Sequence, residues 1–374
     1  MIPLVDLKAA HAEVAEDVAL GFKRILENTA FIGGAEVTAF EREYAEFSGV
    51  AHCVGVANGT DALELALRAA GVGPGDEVIL PANTFIATAE AVARINARVV
   101  LVDCDPRTYL IDVDAALAAV GPKTRAIVPV HLYGQLAPVE RLRAGLASTA
   151  RTDVVIVEDA AQCQGATRFG AGAGAEGIAA TSFYPGKNLG AYGDAGAVVA
   201  ADEALAVSVR TISSHGGLTK YVHDVVGFNS RLDALQAVVL RAKLTRLAGW
   251  NAARRAAAAR YDELLEGLDV TRPVTLDGNE HVWHLYVVRE ASPDGSSTRR
   301  DEVLARLNAA GIGAGIHYPY PIHLTPAFAG LGHAKGSFPH AEQAAVEILT
   351  LPLFPQITPD QQEIVVEALR AARR

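Results

Sequence analysis

At 374 residues the chain has the length of two domains, or of one large domain with a subsidiary lobe. Half the residues are hydrophobic and a fifth are charged, a composition that excludes disorder and supplies ample core. With 33 Lys and Arg against 43 Asp and Glu the net charge is −10 and no basic run is present, which argues against nucleic acid or an anionic membrane as partner; a small anionic substrate in a local basic pocket stays open.

Hydrophobic spacing predicts helices over 12–28 and 35–48, the second stopping at Ser48-Gly49. Short apolar runs then alternate with helical stretches. Strands are predicted at 52–57, 77–81, 98–103, 126–130, 153–158, 180–184 and 195–200, with helices at 60–70, 85–96 and 138–148 between several of them. Strands that are apolar throughout and separated by helices imply a mainly parallel sheet covered on both faces, an α/β layered fold. The pattern changes after about residue 230. A long helix over 231–266, bent near Gly249, leads to a strand at 283–289, a helix at 299–310, a Pro/His/Tyr-rich stretch at 313–328 and a last helix at 359–372. This predicts a smaller α+β lobe, with the chain divided into 1–245 and 246–374. Residues 292–298, SPDGSST, form a surface turn by composition.

Cys53, Cys104 and Cys163 are far apart, odd in number and without CxxC spacing. Neither a disulfide framework nor a cysteine zinc site is implied, and a reducing cytoplasm fits. The opening MIPLVDLKAAHAEV lacks a basic segment followed by a long apolar stretch, so no signal peptide is expected. No apolar run approaches the roughly 18 residues of a membrane span. There are eleven histidines, but His281 and His284 fall in or beside a predicted strand and no HExxH cluster occurs, so no metal is expected.

Three segments carry chemistry. In VVIVEDAAQ (154–162) four apolar residues run into Glu158-Asp159, which puts carboxylates at the C-terminal end of a strand, where α/β sheets place ligands; capping the next turn is the plainer role. In TSFYPGKNLGAYG (181–193) Lys187 lies between Gly186 and Gly190, after Pro185, where the backbone can fold tightly around something; a solvated loop lysine is the alternative, and a P-loop is excluded by Asn188 and a missing glycine. In NGTDAL (58–63) a Gly-Thr turn opens a helix, offering N–H groups, a hydroxyl and the positive dipole end to a phosphate, or simply an N-cap by Asn58 or Thr60. Together they supply what pyridoxal phosphate (PLP) requires: a phosphate cradle, a carboxylate for the pyridine nitrogen and a lysine for the aldehyde. Displaced by substrate, that lysine is an amine able to move a proton.

With PANTFIATAEA (81–91), HLYGQ (131–135), EDAAQ (158–162), SFYPGKNLGAYGDAGAVV (182–199) and GFNSRLDALQA (227–237) added, the chain resembles, over its whole length, the DegT/DnrJ/EryC1/StrS sugar aminotransferases among the fold-type I PLP enzymes. The resemblance implies a three-layer, mainly parallel large domain and a smaller C-terminal α+β domain. It implies Lys187 as Schiff-base lysine and proton shuttle, Asp159 paired with the pyridinium nitrogen and Gln162 at the ring's hydroxyl face. Phe85 would stack on the ring, or else fill the core side of its helix. Gly59, Thr60 and Ser182 would bind phosphate, with a backbone-satisfying hydroxyl as the other role for Ser182. Asn229 would reach the phosphate in a partner subunit's site, making the enzyme a homodimer with shared sites. The family uses for substrate the stretches holding His215, Lys220, Tyr221 and His223, and Tyr318, Tyr320 and His323; a surface or packing role competes at each. Lys220 would meet a diphosphate, and Arg231 would anchor its own turn.

The implied reaction is two-stage transamination. L-glutamate converts PLP to pyridoxamine phosphate, and a nucleotide-linked keto-sugar, a dTDP-keto-6-deoxyhexose, takes the amine at C3 or C4. The product would be an amino-deoxysugar for a natural product or surface glycan. A dehydratase branch of the family has histidine at the lysine position, which Lys187 argues against. A nicotinamide oxidoreductase needs GxGxxG after an early strand, which Gly55–Gly59 does not supply. A non-catalytic binding protein has no need of Lys187, Asp159 and the phosphate motif together. The pattern departs from the family in the Gly/Ala-rich FGAGAGAEG (169–177) and at Asn96, where a small residue is usual.

Overall fold

The computed structural model describes residues 1–374. Helices α1 (Leu7–Ala12), α2 (Ala15–Asn28) and α3 (Ala35–Ser48) come first. The helix expected at 12–28 is therefore preceded by a separate short one, started where Asp6 accepts from Ala9 N at 2.9 Å and stopped by a turn at Glu13-Val14. Next, strands and helices alternate: β1 (His52–Val56), α4 (Gly59–Ala69), β2 (Glu77–Pro81), α5 (Ile86–Arg94), β3 (Arg98–Val102), α6 (Val113–Ala118), β4 (Thr124–Ile127), α7 (Val139–Ser148) and β5 (Val155–Asp159). The short β6 (Thr167–Arg168), then β7 (Ile178–Ser182), β8 (Gly196–Ala200) and α8 (Glu203–Ser213) follow. The second lobe contains the end of α9 (Ala234–Leu264), then β9 (Asn279–Glu280), β10 (Tyr286–Arg289), α10 (Thr298–Ala309), α11 (Pro339–Glu347), β11 (Ile348–Leu351) and α12 (Pro359–Ala372).

Seven strands form one sheet in the order β1-β8-β7-β5-β4-β2-β3. From β7 to β3 neighbours are parallel, and β8 runs antiparallel to both β1 and β7. Alternation along the strands sends successive side chains to opposite faces. Val78, Leu80 and Val198 pack with Leu65 of α4, Val92 of α5 and Val209 of α8. On the other face Ile79 and Ile127 meet Ala116 of α6 and Leu142 of α7, while Cys53 and Val199 meet Phe40 of α3 and Leu240 of α9. Each such buried aliphatic contributes about 1.5–3 kcal/mol, so the three-layer α/β/α stack is the dominant source of cohesion. This is the three-layer, mainly parallel large domain that the resemblance implied.

In the second lobe β10 and β11 pair antiparallel and pack with α10, α12 and the last turns of α9 around Tyr261, Tyr286 and Phe354. Helix α9 runs unbroken through Gly249, and position 245/246 lies inside it. The first residues cross to the second lobe: Ile2 N donates to Gly311 O, Gly313 N to Ile2 O and Leu353 N to Leu4 O. Elements α6, α8, α11, β6, β9 and β11 were not anticipated. In α8 the Val, Thr and Ile residues weaken the helical signal, yet Asp202 caps it at 2.7 Å and burial of Ala206 and Val209 decides the matter. Between α11 and β11 no loop intervenes, so no turn signal marks the change. No helix is long and apolar enough to cross a membrane.

Candidate active site

Because β8 reverses between β1 and β7, strands β1, β2, β4, β5 and β7 all end at one edge of the sheet. The loops leaving them converge there, as open α/β sheets dictate for ligand sites. A cavity of about 610 Å³ opens at this edge, and Gly59, Thr60, Phe85, Asp159, Gln162, Ser182, Lys187 and Tyr318 all line it.

Lys187 lies in the connection from β7 to β8. The loop folds on itself: Lys187 N donates to Tyr184 O and Ala191 N to Phe183 O, each at 2.8 Å. Only glycine fits at 190, where a Cβ would lie 2.2 Å from Pro185 O. Helix α9 grips the loop from one of its faces. Gln236 accepts from Tyr192 N at 2.8 Å, Lys243 donates to Gly190 O at 2.6 Å and Asn251 accepts from Asn188 Nδ2 at 3.0 Å. These positions recur about every two turns, which is why they share a face. Burial pushes the Lys187 ammonium down to about 8, against the pull of Asp159 and Cys163, which favour the charge.

Asp159 closes β5. Thr88 Oγ1 donates to its Oδ2 at 2.8 Å and Ala161 N to its Oδ1 at 3.1 Å; Thr84 Oγ1 lies 2.8 Å from Thr88 Oγ1. Burial pushes the carboxyl up, while those two hydrogen bonds, Lys187 and His131 act the other way. Glu158, one residue back, faces the opposite side of the strand. His131 Nδ1 accepts from Ala137 N at 3.0 Å, so its proton sits on Nε2, which donates to Glu158 Oε2 at 2.9 Å. The two adjacent carboxylates thus divide: Glu158 braces the 131–137 loop and Asp159 alone faces the cavity.

Helix α4 begins at the cavity wall. Asn58 Oδ1 caps it by accepting from Asp61 N at 2.8 Å. The first-turn N–H groups of Gly59 and Thr60 have no partner within the helix. A Cβ on Gly59 would lie 2.5 Å from Ser182 Cβ, so α4 and the end of β7 touch and the cradle between them exists only with glycine. Ser182 Oγ accepts from Tyr184 N at 3.3 Å, the strand-end role, and still lines the cavity.

Phe85 is 51% exposed and therefore not a core residue; its ring centroid is 5.2 Å from that of Tyr318. Gln162 is fixed at both ends of its amide. Its Oε1 accepts from Tyr133 N at 2.7 Å and its Nε2 donates to the Tyr318 hydroxyl at 2.9 Å. Tyr133 donates its own hydroxyl to His317 O, so the segment 317–318 from the second lobe is fastened to the large lobe at the cavity.

Seven predicted residues do not line this cavity. Asn229 is exposed and borders a separate cleft with Ile32, Asp194 and Arg231. His215, Lys220 and Tyr221 lie on an exposed loop, with Lys220 Nζ 5.0 Å from the Tyr221 ring centre and His223 bonded to His215 O. Tyr320 points to solvent at 65% exposure. His323 is corrected outright: it is buried, packs on Phe338, and its Nε2 lies 2.9 Å from Glu342 Oε1, so it has no free face for substrate. Sequence reading missed Tyr184, Asp194, His284 and His317 in the cavity wall and Thr88 behind Asp159. Tyr184 and Asp194 stand inside the lysine motif and His317 beside Tyr318, so the signal was present. Thr84 and Thr88 are one helical turn apart, a legible spacing. Leu4 and Val5 also line the cavity, with no local sign.

These residues fit pyridoxal phosphate. The glycine-only cradle at α4 suits its phosphate, the buried Asp159 its ring nitrogen, the exposed Phe85 its flat face and the partly neutralised Lys187 its aldehyde.

Residues 13–370 match the model of the DegT/DnrJ/EryC1/StrS aminotransferase family. The chain is 44% identical to a dTDP-3-amino-3,4,6-trideoxy-alpha-D-glucose transaminase of Streptomyces venezuelae, over 99% of this chain and 95% of the other. It is also 44% identical to a UDP-N-acetyl-3-dehydro-alpha-D-glucosamine 3-aminotransferase of Acidithiobacillus ferrooxidans, over 99% and 97%. Among solved structures, S. venezuelae DesV in complex with a ketimine intermediate superposes with a TM-score of 0.95 at 43% identity, covering 100% of this chain and 99% of that one.

Proposed function

The chain belongs to the DegT/DnrJ/EryC1/StrS aminotransferase family and is a pyridoxal-phosphate-dependent sugar aminotransferase; from that premise we propose that it carries an amino group from L-glutamate to C3 of a dTDP-linked keto-6-deoxyhexose, as a step toward an amino-deoxysugar of a natural product or surface glycan. The observation that carries the reading is the meeting of Lys187, Asp159 and the Gly59 cradle in one cavity of about 610 Å³, a size suited to a small-molecule site. Carbon 3 is supported by the names of both transaminases at 44% identity, and dTDP by the first of them.

Bound there, the cofactor supplies an aldehyde for the lysine and an electron sink for the carbanion left when a proton departs. Lys187 Nζ holds the cofactor at rest and, once released, moves the proton on and off the reacting carbon. Burial keeps a fraction of that amine neutral near pH 7, as a base must be. Asp159, fixed by Thr88 and Ala161, holds the proton at the ring nitrogen. Gly59, Thr60 and Ser182 would bind the phosphate, Phe85 would pack on the ring, and Gln162, whose amide is fixed by Tyr133 N and the Tyr318 hydroxyl, would orient it. Leu4, Val5, Leu63, Val130, Leu132 and Leu285 exclude water.

Lys187 is the one Lys or Arg in the cavity wall. A nucleotide diphosphate needs more positive charge than that. A homodimer with shared sites provides it: Asn229, Lys220 and Arg231 of a second copy close the site, with Tyr318 and His317 reading the sugar. Exposed Phe31, Ile32, Val222, Val225 and Val226 near those residues support such an interface. Three buried, free cysteines suit a cytoplasmic setting.

The test is the visible spectrum of the PLP-loaded protein. L-glutamate should bleach the band, and a dTDP-3-keto-6-deoxyhexose should restore it faster than the UDP- or 4-keto counterparts. Restoration by a UDP-sugar alone, or by the 4-ketone alone, overturns the nucleotide or the carbon; no band with PLP overturns the site.

A further inference from the structure

Buried polar side chains beside Lys187 form a line of hydrogen bonds whose direction is set by backbone carbonyls. Asn251 Nδ2 donates to Gln164 O at 2.9 Å, which leaves Asn251 Oδ1 to accept from Asn188 Nδ2 at 3.0 Å. Asn188 Nδ2 donates also to Val282 O at 3.0 Å. Carbonyls only accept, so neither amide can be flipped. Asn188 Oδ1 is therefore an acceptor, and His284 Nδ1, 3.2 Å away, must carry a proton. Burial, with the charges of Lys187 and Arg254, disfavours a second proton on the ring. The imidazole is neutral and Nε2 holds a bare lone pair. Nε2 finds no partner in the protein, yet it is not sealed off: His284 lines the Lys187 cavity.

We infer that His284 is a positioning residue for Lys187: its Nε2 accepts a hydrogen bond from the free Nζ amine and so aims the amine's own lone pair at the reacting carbon. The inference rests on the reading of Lys187 as the proton-moving amine. An amine turns freely about its last carbon–nitrogen bond, and one held N–H restricts it. The same network fixes Asn188, the next residue in the chain, to α9 and to the connection between β9 and β10, so the acceptor and the lysine share one frame. The titratable and charged groups facing the ring are Lys187, Arg254, His281 and His317, and those facing Lys187 are Asp159 and Cys163.

The experiment measures the free amine itself. Competitive acetylation of Lys187 across pH 6–11, read by mass spectrometry, gives its titration midpoint in the pyridoxamine-phosphate-loaded and the cofactor-free protein. His284→Asn keeps a donor toward Asn188 and removes the cavity acceptor. An acceptor favours ammonium over amine, so its loss should move the Lys187 midpoint down by about one unit. Glutamate-driven bleaching should slow by about tenfold at unchanged KM. His281→Asn, two residues away and outside the cavity wall, should shift neither. An unchanged midpoint and bleaching rate in folded His284→Asn overturns the inference. Ring ¹⁵N shifts of wild-type His284 decide it even without the variant: a proton on Nε2 overturns it, and a proton on Nδ1 with Nε2 bare supports it. If PLP does not bind at all, the functional reading falls separately, because the cofactor-free midpoint and the ring tautomer are still measurable.

Discussion

Replacing Lys187 by Met should abolish transamination and at the same time stabilise the cofactor-free protein. In the folded chain the ammonium titrates at about 8 rather than 10.5, and the attraction of Asp159 is already contained in that figure. A gap of about 2.5 units corresponds to about 3 kcal/mol. The sign follows from proton counts. Between pH 8 and 10.5 the unfolded chain holds the proton that the folded chain has lost, so wild-type stability rises with pH across that window. Below it the penalty is fully present, and above 10.5 it is gone. Methionine has no such penalty and fills similar space. Urea unfolding of cofactor-free wild type and variant at pH 7, 9 and 10.5 should show the variant ahead by about 3 kcal/mol at pH 7, with the lead shrinking to about 0.4 kcal/mol at the highest pH. Equal stability at pH 7, or a lead that ignores pH, would refute the desolvation of Lys187. Turnover by the variant without added amine would refute its chemical role.

For the same reason, the rate at which cofactor-free protein captures PLP should rise about tenfold per pH unit and level off near pH 8, followed as growth of the visible band. Asp159→Asn keeps Ala161 N donating to Oδ1 and can keep Thr88 only with the bond reversed, Nδ2 donating to Oγ1, and it loses the charge; it should still capture PLP, while glutamate bleaches it about a hundredfold more slowly in stopped flow. In Gly59→Ala the new methyl meets Ser182 at 2.5 Å, and PLP affinity by titration should fall by about tenfold or more; unchanged affinity would mean the phosphate lies elsewhere. His323→Ala should leave substrate KM alone and cost about 1–3 kcal/mol in unfolding, because a buried ring packed on Phe338 is removed and Glu342 loses one of its hydrogen bonds, Gly336 N and Phe338 N still donating to it; a raised KM at full stability would return His323 to the site.

The sheet was legible because its strands are continuous apolar runs and a helix such as α4 follows a clear side-chain cap, Asn58. The chemistry was legible because Lys187, Asp159 and Gly59 each stand in a motif whose backbone needs are visible as glycines and strand ends. What stayed hidden was contact across long separations. Nothing near Leu4 marks it as cavity wall, since its place depends on Leu353. His323 looked like a ligand because histidine next to tyrosines suggests a polar surface, whereas it is buried in the core with its Nε2 paired to Glu342, nineteen residues on. His284 was set aside as a residue of a predicted strand; that strand begins two residues later and leaves the imidazole facing the cavity.

The stitching of the first residues into the second lobe has a consequence for how the molecule comes into being. Leu4 and Val5 complete the cavity wall, but Ile2 waits for Gly311 and Gly313, and Leu4 for Leu353. During synthesis the large lobe emerges and can collapse on its own sheet long before those partners leave the ribosome. Through that interval its cofactor cavity lacks a side. The amino-terminal segment has no such partners until Leu353, two residues past the last strand, has emerged. A chain interrupted before Leu353 is left without that side of the chamber.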